Sequence, residues 1–455
     1  MGTDGIDYMF QATEGLPIDV RFMLPSCVPA TPMDESGANL DYRAIDSFYD
    51  YPRVQGLAEM MNSYGVIHND AEVVSKIVAS QAHHKKIDGH APGLQGKDLD
   101  TYVAAGVYSD HECATMEDAL AKLQRGQFIM IREGTAARNL EALAPLLTPQ
   151  YAERCMFCTD DKHPSDLLEK GHIDYIAREA INKYGVDPII AVKAACHHAS
   201  RYFLLNNRGA IAPGYLADFA VIDNFKDFNV EMVFKKGVLY WNNGELRDFE
   251  APKIEEYLDK RAHDTFHLPV LSPADFANTR LRGVIGMVPG QIITEDAGYA
   301  AGVDVSKDIL KMAVVERHKN TRHIGIGYLK GYGLKSGAVA TSVAHDSHNI
   351  ICVGTNDEDM AFAVNRIARN RGGIVVVENG QVLAELPLEI AGIISGKPLR
   401  EVNTLLEDAK KAAHALGVGT DIDPFMTLSF MSLPVIPTLR LTTRGVVDVN
   451  TQQYV

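Results

Sequence analysis

Glu59, His90, His111 and Asp160 each close a short apolar run, in GLAEMMN (56–62), KIDGHAPG (86–93), GVYSDHE (106–112) and RCMFCTDD (154–161). Arg132 and Glu133 close a further run of the same kind, FIMIREGT (128–135). Two imidazoles and two carboxylates delivered by separate strand ends suit a borderline divalent ion such as Zn²⁺, Mn²⁺ or Fe²⁺. A core reading would place apolar residues at those positions instead. A single strand-end histidine is usually structural, but four such groups on four different runs point to a metal site.

Positioning these groups requires βα units. Apolar runs over 19–32, 54–62, 85–93, 106–112, 128–135 and 154–161 alternate with helix-like pieces over 71–84, 116–126 and 136–147. In a parallel barrel the side chains that converge are those at the C-terminal ends of the strands. From residue 172 the pattern is helical, and Asp187-Pro188 predicts an N-cap followed by proline at the first helical position. Residues 209–224 predict turns followed by a strand. Residues 232–246 predict a strand pair split at Lys236-Gly237 and closed by Asn-Asn-Gly.

The C-terminal part reads as a mixture of strands and helices. Alternating strands are expected in 300–318 and 323–330, and a helix over 359–370 with Ala361, Val364, Ile367 and Ala368 on one face. A hairpin over 372–388 is expected to turn at Asn379-Gly380, and a helix over 400–416 to end at Gly417. His345 and His348 are three apart, so a helix could present both to one metal and a strand could not. As a loop they would touch substrate or join a structural hydrogen-bond network.

Other signals carry bland readings. Cys155 and Cys158 have zinc-knuckle spacing, but in a strand they face opposite sides. His83-His84 and His197-His198 fall in helical stretches and read as surface or packing residues. Gly325-Ile-Gly327 lacks the context of a dinucleotide fingerprint, and no phosphate-binding P-loop occurs.

Composition narrows the class. Of 455 residues 46% are hydrophobic and 23% charged, and 59 acids against 44 bases give a net charge of −15. Such a chain is poorly suited to grip nucleic acid or an anionic membrane. No apolar run approaches the roughly 18–20 residues of a spanning helix, and the N-terminus lacks the pattern of a signal peptide. Six cysteines do not make a disulfide scaffold, so a cytoplasmic enzyme is expected.

The ordered series LPSCVPATP, GLAEMMN, KIDGHAPG, SDHEC, IREGTAARNL, CTDDKHP and GAIAPGYLADF resembles the bacterial adenine deaminases of the amidohydrolase superfamily. The resemblance continues through GVIGMVPGQIIT, AHDSHNI and MTLSFMSLPVIP, and so covers essentially the whole chain. It implies hydrolysis of adenine to hypoxanthine and ammonia by a homo-oligomer, with a divalent metal, binuclear manganese or iron and alternatively zinc. His90, His111, Asp160 and Glu59 are the implied metal ligands. Asp160 is the implied general base and then acid, and Glu59 or Glu112 protonates the ring nitrogen. Arg132 and Glu133, with His345 and His348, are candidates for substrate contact.

The resemblance also implies a His-x-His pair on a first strand, and none occurs in this chain, whose first histidine is His68. The expected fold is therefore an incomplete metal-dependent (β/α)8 barrel holding strands three to eight over 1–205. A β-sandwich remnant over 206–250 and a C-terminal α+β domain over 251–455 are expected to follow. On that reading the chain alone binds metal poorly and deaminates little. Another amidohydrolase acting on a cyclic amide, and a non-catalytic remnant, are the alternatives.

Overall fold

The computed structural model describes residues 1–288 and 291–455, so Pro289 and Gly290 of the GVIGMVPGQIIT stretch lie outside the described residues. The chain divides into two compact units. One comprises Met9–Ser26 and Asp41–Lys253; the other comprises Met1–Tyr8, Cys27–Leu40 and Ile254–Val455.

The first unit carries every predicted strand of the N-terminal half. Six short strands run parallel in chain order: β1 (Phe22–Leu24), β2 (Val54–Met60), β3 (Lys86–Gly89), β4 (Ser109–Asp110), β5 (Phe128–Arg132) and β6 (Cys155–Cys158). Strands β1-β2-β3 form one sheet and β4-β5-β6 another. Tyr108 N donates to Ile87 O at 2.9 Å between them, so β4 lies beside β3. Gly89 permits this approach, since a Cβ there would stand 2.2 Å from Ser109 O. Parallel neighbours need helical crossovers, supplied by Ala71–Ala82, Gly96–Ala104 and Met116–Gln124 among others. The helix expected over 136–147 shrinks to Leu140–Leu143 and continues as a 3-10 turn over Ala144–Leu146, where Pro145 lacks an amide hydrogen. Asp187 caps its helix as expected, accepting from Ile189 N at 2.8 Å.

Residues 219–246 form an antiparallel four-stranded sheet ordered β10-β9-β8-β7: β7 (Phe219–Ile222), β8 (Val230–Lys235), β9 (Val238–Asn242) and β10 (Glu245–Leu246). Lys236 and Gly237 both take positive φ, 49° and 79°, the geometry of a two-residue hairpin turn.

The second unit is built on an eight-stranded sheet ordered β12-β11-β14-β13-β16-β15-β17-β18. Its strands are β11 (Arg282–Met287), β12 (Thr294–Ala300), β13 (Ile309–Val315), β14 (Ile324–Lys330), β15 (Ala338–Thr341), β16 (Ile350–Gly354), β17 (Gly373–Glu378) and β18 (Gln381–Pro387). The strand expected across 300–318 begins only at Ile309, after a 3-10 turn over Val305–Lys307. Its alternation does not divide core from solvent. Leu310, Met312 and Val314 enter one core with Leu406, Ala409 and Ala413 of the helix Leu399–Ala415. Ala313 and Val315 enter the other, with Met360, Val364 and Ile367 of the helix Asp357–Arg369. Gly417 ends the former helix at φ 104°, as its position predicts. The N-terminal segments join this unit through polar contacts: Tyr257 OH donates to Asp4 at 2.7 Å and Asn349 Nδ2 donates to Glu35 O at 2.7 Å.

Candidate metal centre

Glu59 lies near the end of β2, His90 follows β3, His111 and Glu112 follow β4, Arg132 ends β5, and Asp160 lies two residues past β6. Along a strand, residues two apart share a face. Strand β2 breaks this alternation with a bulge between Leu57, paired with Ile87, and Met60, paired with Gly89, and the end of β2 carrying Glu59 lies beside the end of β3 carrying His90.

The groups meet closely. Glu59 Oε2 lies 3.2 Å from His90 Nδ1 and 3.0 Å from His111 Nε2. Glu112 Oε1 lies 3.4 Å and 3.2 Å from the same two nitrogens. Glu59, His90 and His111 each offer a ligand atom within 4.8 Å of the others, and so do His111, Glu112 and Asp160. His111 belongs to both sets. His90 Nδ1 faces the Glu59 and Glu112 carboxylates, and among the described residues its buried Nε2 finds no hydrogen-bond partner. A buried imidazole set among carboxylates, with a ring nitrogen left unsatisfied, is suited to a cation.

The charges interlock. Burial alone would raise the Glu59 carboxyl, but hydrogen bonds and charge from His111 and His90 hold it well below the usual carboxylate range. Burial is likewise outweighed at Glu112, whose carboxyl is pulled down by His90, His111 and Arg132. Burial would depress both imidazoles, and the facing carboxylates raise them instead.

The two glutamates differ in access: the Glu59 side chain is 42% exposed and that of Glu112 only 3%. Arg132 explains the difference. It grips Glu112 through both terminal nitrogens, one at 3.1 Å, donates to Asp160 Oδ2 at 2.8 Å, and donates from Nε to Asn139 at 3.1 Å. All three guanidinium nitrogens are thus committed within the protein. Glu133, the other residue suggested for substrate contact, accepts from Leu140 N at 3.3 Å. Asp160 takes the left-handed conformation, φ 57°, and its Oδ1 accepts from Asp161 N at 2.8 Å.

Several supporting residues carried no sequence signal of function. Asp110 accepts from Ala91 N at 2.8 Å and from Glu112 N at 2.9 Å, tying together the turns that present both imidazoles. Tyr102 OH accepts from His90 N at 2.9 Å and donates to Met60 O at 2.7 Å. Ser26 donates to the Glu59 carbonyl, and Lys76 donates to Ser26 O at 2.7 Å. One hint existed: Lys122 shares the buried face of its helix with Ala119, three residues earlier, where a solvated lysine would be out of place.

Histidines read as structural do pack. His198 donates to Cys155 O at 2.9 Å and His83 stacks on Tyr49 at 4.9 Å. His345 and His348 belong to the second unit and lie in a turn rather than a helix, with ring centroids 6.1 Å apart. The helical two-histidine arrangement is therefore not formed. His345 stacks on Phe430 at 4.6 Å, and Arg317 Nε donates to His348 O at 2.6 Å.

The amidohydrolase family model matches residues 1–240, and the adenine deaminase C-terminal domain model matches residues 291–453. The chain is 46% identical over 470 residues to the adenine deaminase of Nitratidesulfovibrio vulgaris strain DP4, covering 100% of itself and 80% of that protein. It is 45% identical over 464 residues to the adenine deaminase of Desulfatibacillum aliphaticivorans, with the same coverage. Similar solved structures include a β-aspartyl dipeptidase from Fervidobacterium islandicum AW-1, 17% identical with a TM-score of 0.36, covering 46% of this chain and 62% of that one. A zinc-bound adenosine deaminase from Xanthomonas campestris is 15% identical with a TM-score of 0.34, covering 46% and 56%. From the matches along its full length, the chain belongs to the adenine deaminase family of the amidohydrolases.

Proposed function

We propose that this chain hydrolyses adenine to hypoxanthine and ammonia at the centre formed by Glu59, His90, His111 and Asp160. The observation that carries the reading is the pair of ligand sets sharing His111, with the buried Nε2 of His90 unsatisfied among the described residues. Two overlapping sets support a two-ion site, with manganese or iron as the proposed metals and zinc as the alternative. We take the six parallel strands as the third to eighth of an eightfold barrel, in a cytoplasmic enzyme.

A divalent ion held by these residues would supply Lewis acidity and bring the pKa of water from 15.7 to about 7. Asp160, about a third exposed, accepts the proton released as water adds to the carbon bearing the amino group, and returns it to departing ammonia. Glu59 reaches solvent and is the group placed to exchange a proton with the ring nitrogen. Glu112, enclosed and held by Arg132, serves as a fixed negative charge beneath both imidazoles. Water is the one co-reactant and no oxidant is needed: adenine and water become hypoxanthine and ammonia.

The test is turnover by the purified chain loaded with Mn²⁺ or Fe²⁺, following hypoxanthine chromatographically and ammonia by a coupled assay. Equal yields of both products are expected. Metal binding by calorimetry without any loss of adenine would overturn the deaminase reading and leave the metal site standing. Comparing the chain with the same chain joined to a segment carrying His-x-His measures what two more imidazoles add.

A further inference from the structure

At the opposite end of the strands from the metal centre, and within the same unit, lies a cleft of about 360 Å³. Arg21 precedes β1, Gln55 is near the start of β2, Lys85 precedes β3 and Lys86 begins it, and His83 and His84 follow the helix Ala71–Ala82. The loop 203–207 closes the far wall, contributing Asn206 and Asn207. Among the described residues no aspartate or glutamate lines this cleft, although acids outnumber bases 59 to 44 in the chain. Five basic residues gathered on one concavity of a protein with net charge −15 therefore form a local reversal of its field.

These groups are not consumed by ion pairs. Among the described residues Arg21, Lys85 and Lys86 have no carboxylate within salt-bridge distance; only His83 is so engaged, 3.1 Å from Asp46. Lys85 Nζ donates one hydrogen to Val54 O at 2.8 Å. Lys86 Nζ is held over aromatic faces, 4.9 Å from the Tyr108 ring and 5.2 Å from Tyr202, which fixes the ammonium without using its donors. Gln55, with its amide oriented by its neighbours, accepts from Arg21 Nη1 at 2.8 Å and donates to Phe203 O at 3.0 Å, bracing Arg21 against the loop.

We infer that this cleft binds a phosphate-bearing small molecule, its dianionic group received by Arg21, Lys85 and Lys86. Guanidinium and ammonium donors form short charge-assisted bonds with phosphate oxygens, and the volume exceeds what one phosphate needs, leaving room for a pyrophosphate or the sugar of a nucleotide. The site is separate from the metal centre. Lys86 begins β3 and His90 follows its last residue, four positions on, so roughly 13 Å of extended chain separates them. The inference stands on residues that the deaminase reading does not use.

Calorimetric titration of the full chain with inorganic pyrophosphate, at constant ionic strength, tests it. One saturable site is expected, weakened at least tenfold by Arg21→Gln and again by Lys86→Gln, with the unfolding temperature of Arg21→Gln unchanged because that side chain is exposed. AMP displacing pyrophosphate while adenosine does not would identify nucleotides as a source of the phosphate, whereas displacement by inorganic phosphate alone would identify the free anion. Absence of saturable heat at millimolar pyrophosphate, or binding indifferent to both substitutions, would overturn the assignment.

Discussion

Lys122 Nζ lies 2.9 Å from Asp110 Oδ2, and neither side chain reaches solvent. The same ammonium donates to Ala91 O at 3.0 Å, while Asp110 accepts from Ala91 N and Glu112 N. One helix residue thus pins the turns carrying His90 and His111 at a set separation. A buried pair contributes little net stability, but breaking it leaves an uncompensated charge. Lys122→Met is expected to destabilise the first unit by about 3–5 kcal/mol and to weaken metal binding about 10–100-fold. The Asp110→Asn/Lys122→Met double variant should recover stability but not metal affinity, because one asparagine oxygen cannot accept from two turns. Denaturant unfolding and metal titration measure both; equal recovery of the two quantities would refute the positioning role.

The two glutamates should separate in kind. Glu59→Gln is expected to lower kcat about 10²–10⁴-fold, the range of a lost proton-transfer group, with the unfolding midpoint nearly unchanged. Glu112→Gln unpairs Arg132 inside the protein and should show first as lost stability. Parallel kinetics and thermal melts of the metal-loaded variants distinguish them.

Removing either imidazole should empty the site. His111→Ala takes a ligand from both sets and is expected to reduce bound metal more than His90→Ala, which touches one. Metal content by plasma spectrometry after dialysis gives the ratio. Loss at His90→Ala exceeding that at His111→Ala would argue against a shared His111.

Asp34 gives a pH dependence in the second unit. Burial raises its carboxyl from 3.8 to about 7, against the opposing hydrogen bonds from Ser347 and the Glu35 amide. The folded protein therefore holds a proton there that the unfolded chain has released, between about pH 4 and pH 7. Unfolded minus folded protons bound is negative in that window, so this group's contribution to stability is present below pH 4 and falls as pH rises through 7. Asp34→Asn removes it. The stability of the wild type relative to the variant should decline from pH 4 to pH 7, measured by urea unfolding across that range; a flat difference would contradict the raised carboxyl.

The strand ends were legible in the chain because chemistry interrupts apolar runs: Glu59, His90, His111 and Asp160 stand where a core strand would continue with Val or Ile. Hairpins at Lys236-Gly237 and Asn379-Gly380, the Asp187 cap and the Gly417 stop were legible for a local reason, since positive φ and capping need particular residue types. Burial on both faces of β13 was not. Its alternation looks half-solvated, and only the helices packed on each side of the sheet decide otherwise.

Order along the chain thus determined the family motifs, the six parallel strands and the residue types of the candidate metal centre. Tertiary structure alone decided that Arg132 spends its donors on Glu112 and Asp160, that Lys122 reaches Asp110, and that Arg21 before β1 shares one cleft with Lys85 and Lys86 at the start of β3. Such pairings join residues up to tens of positions apart. They depend on how strands register and how helices cross them, which no local spacing encodes.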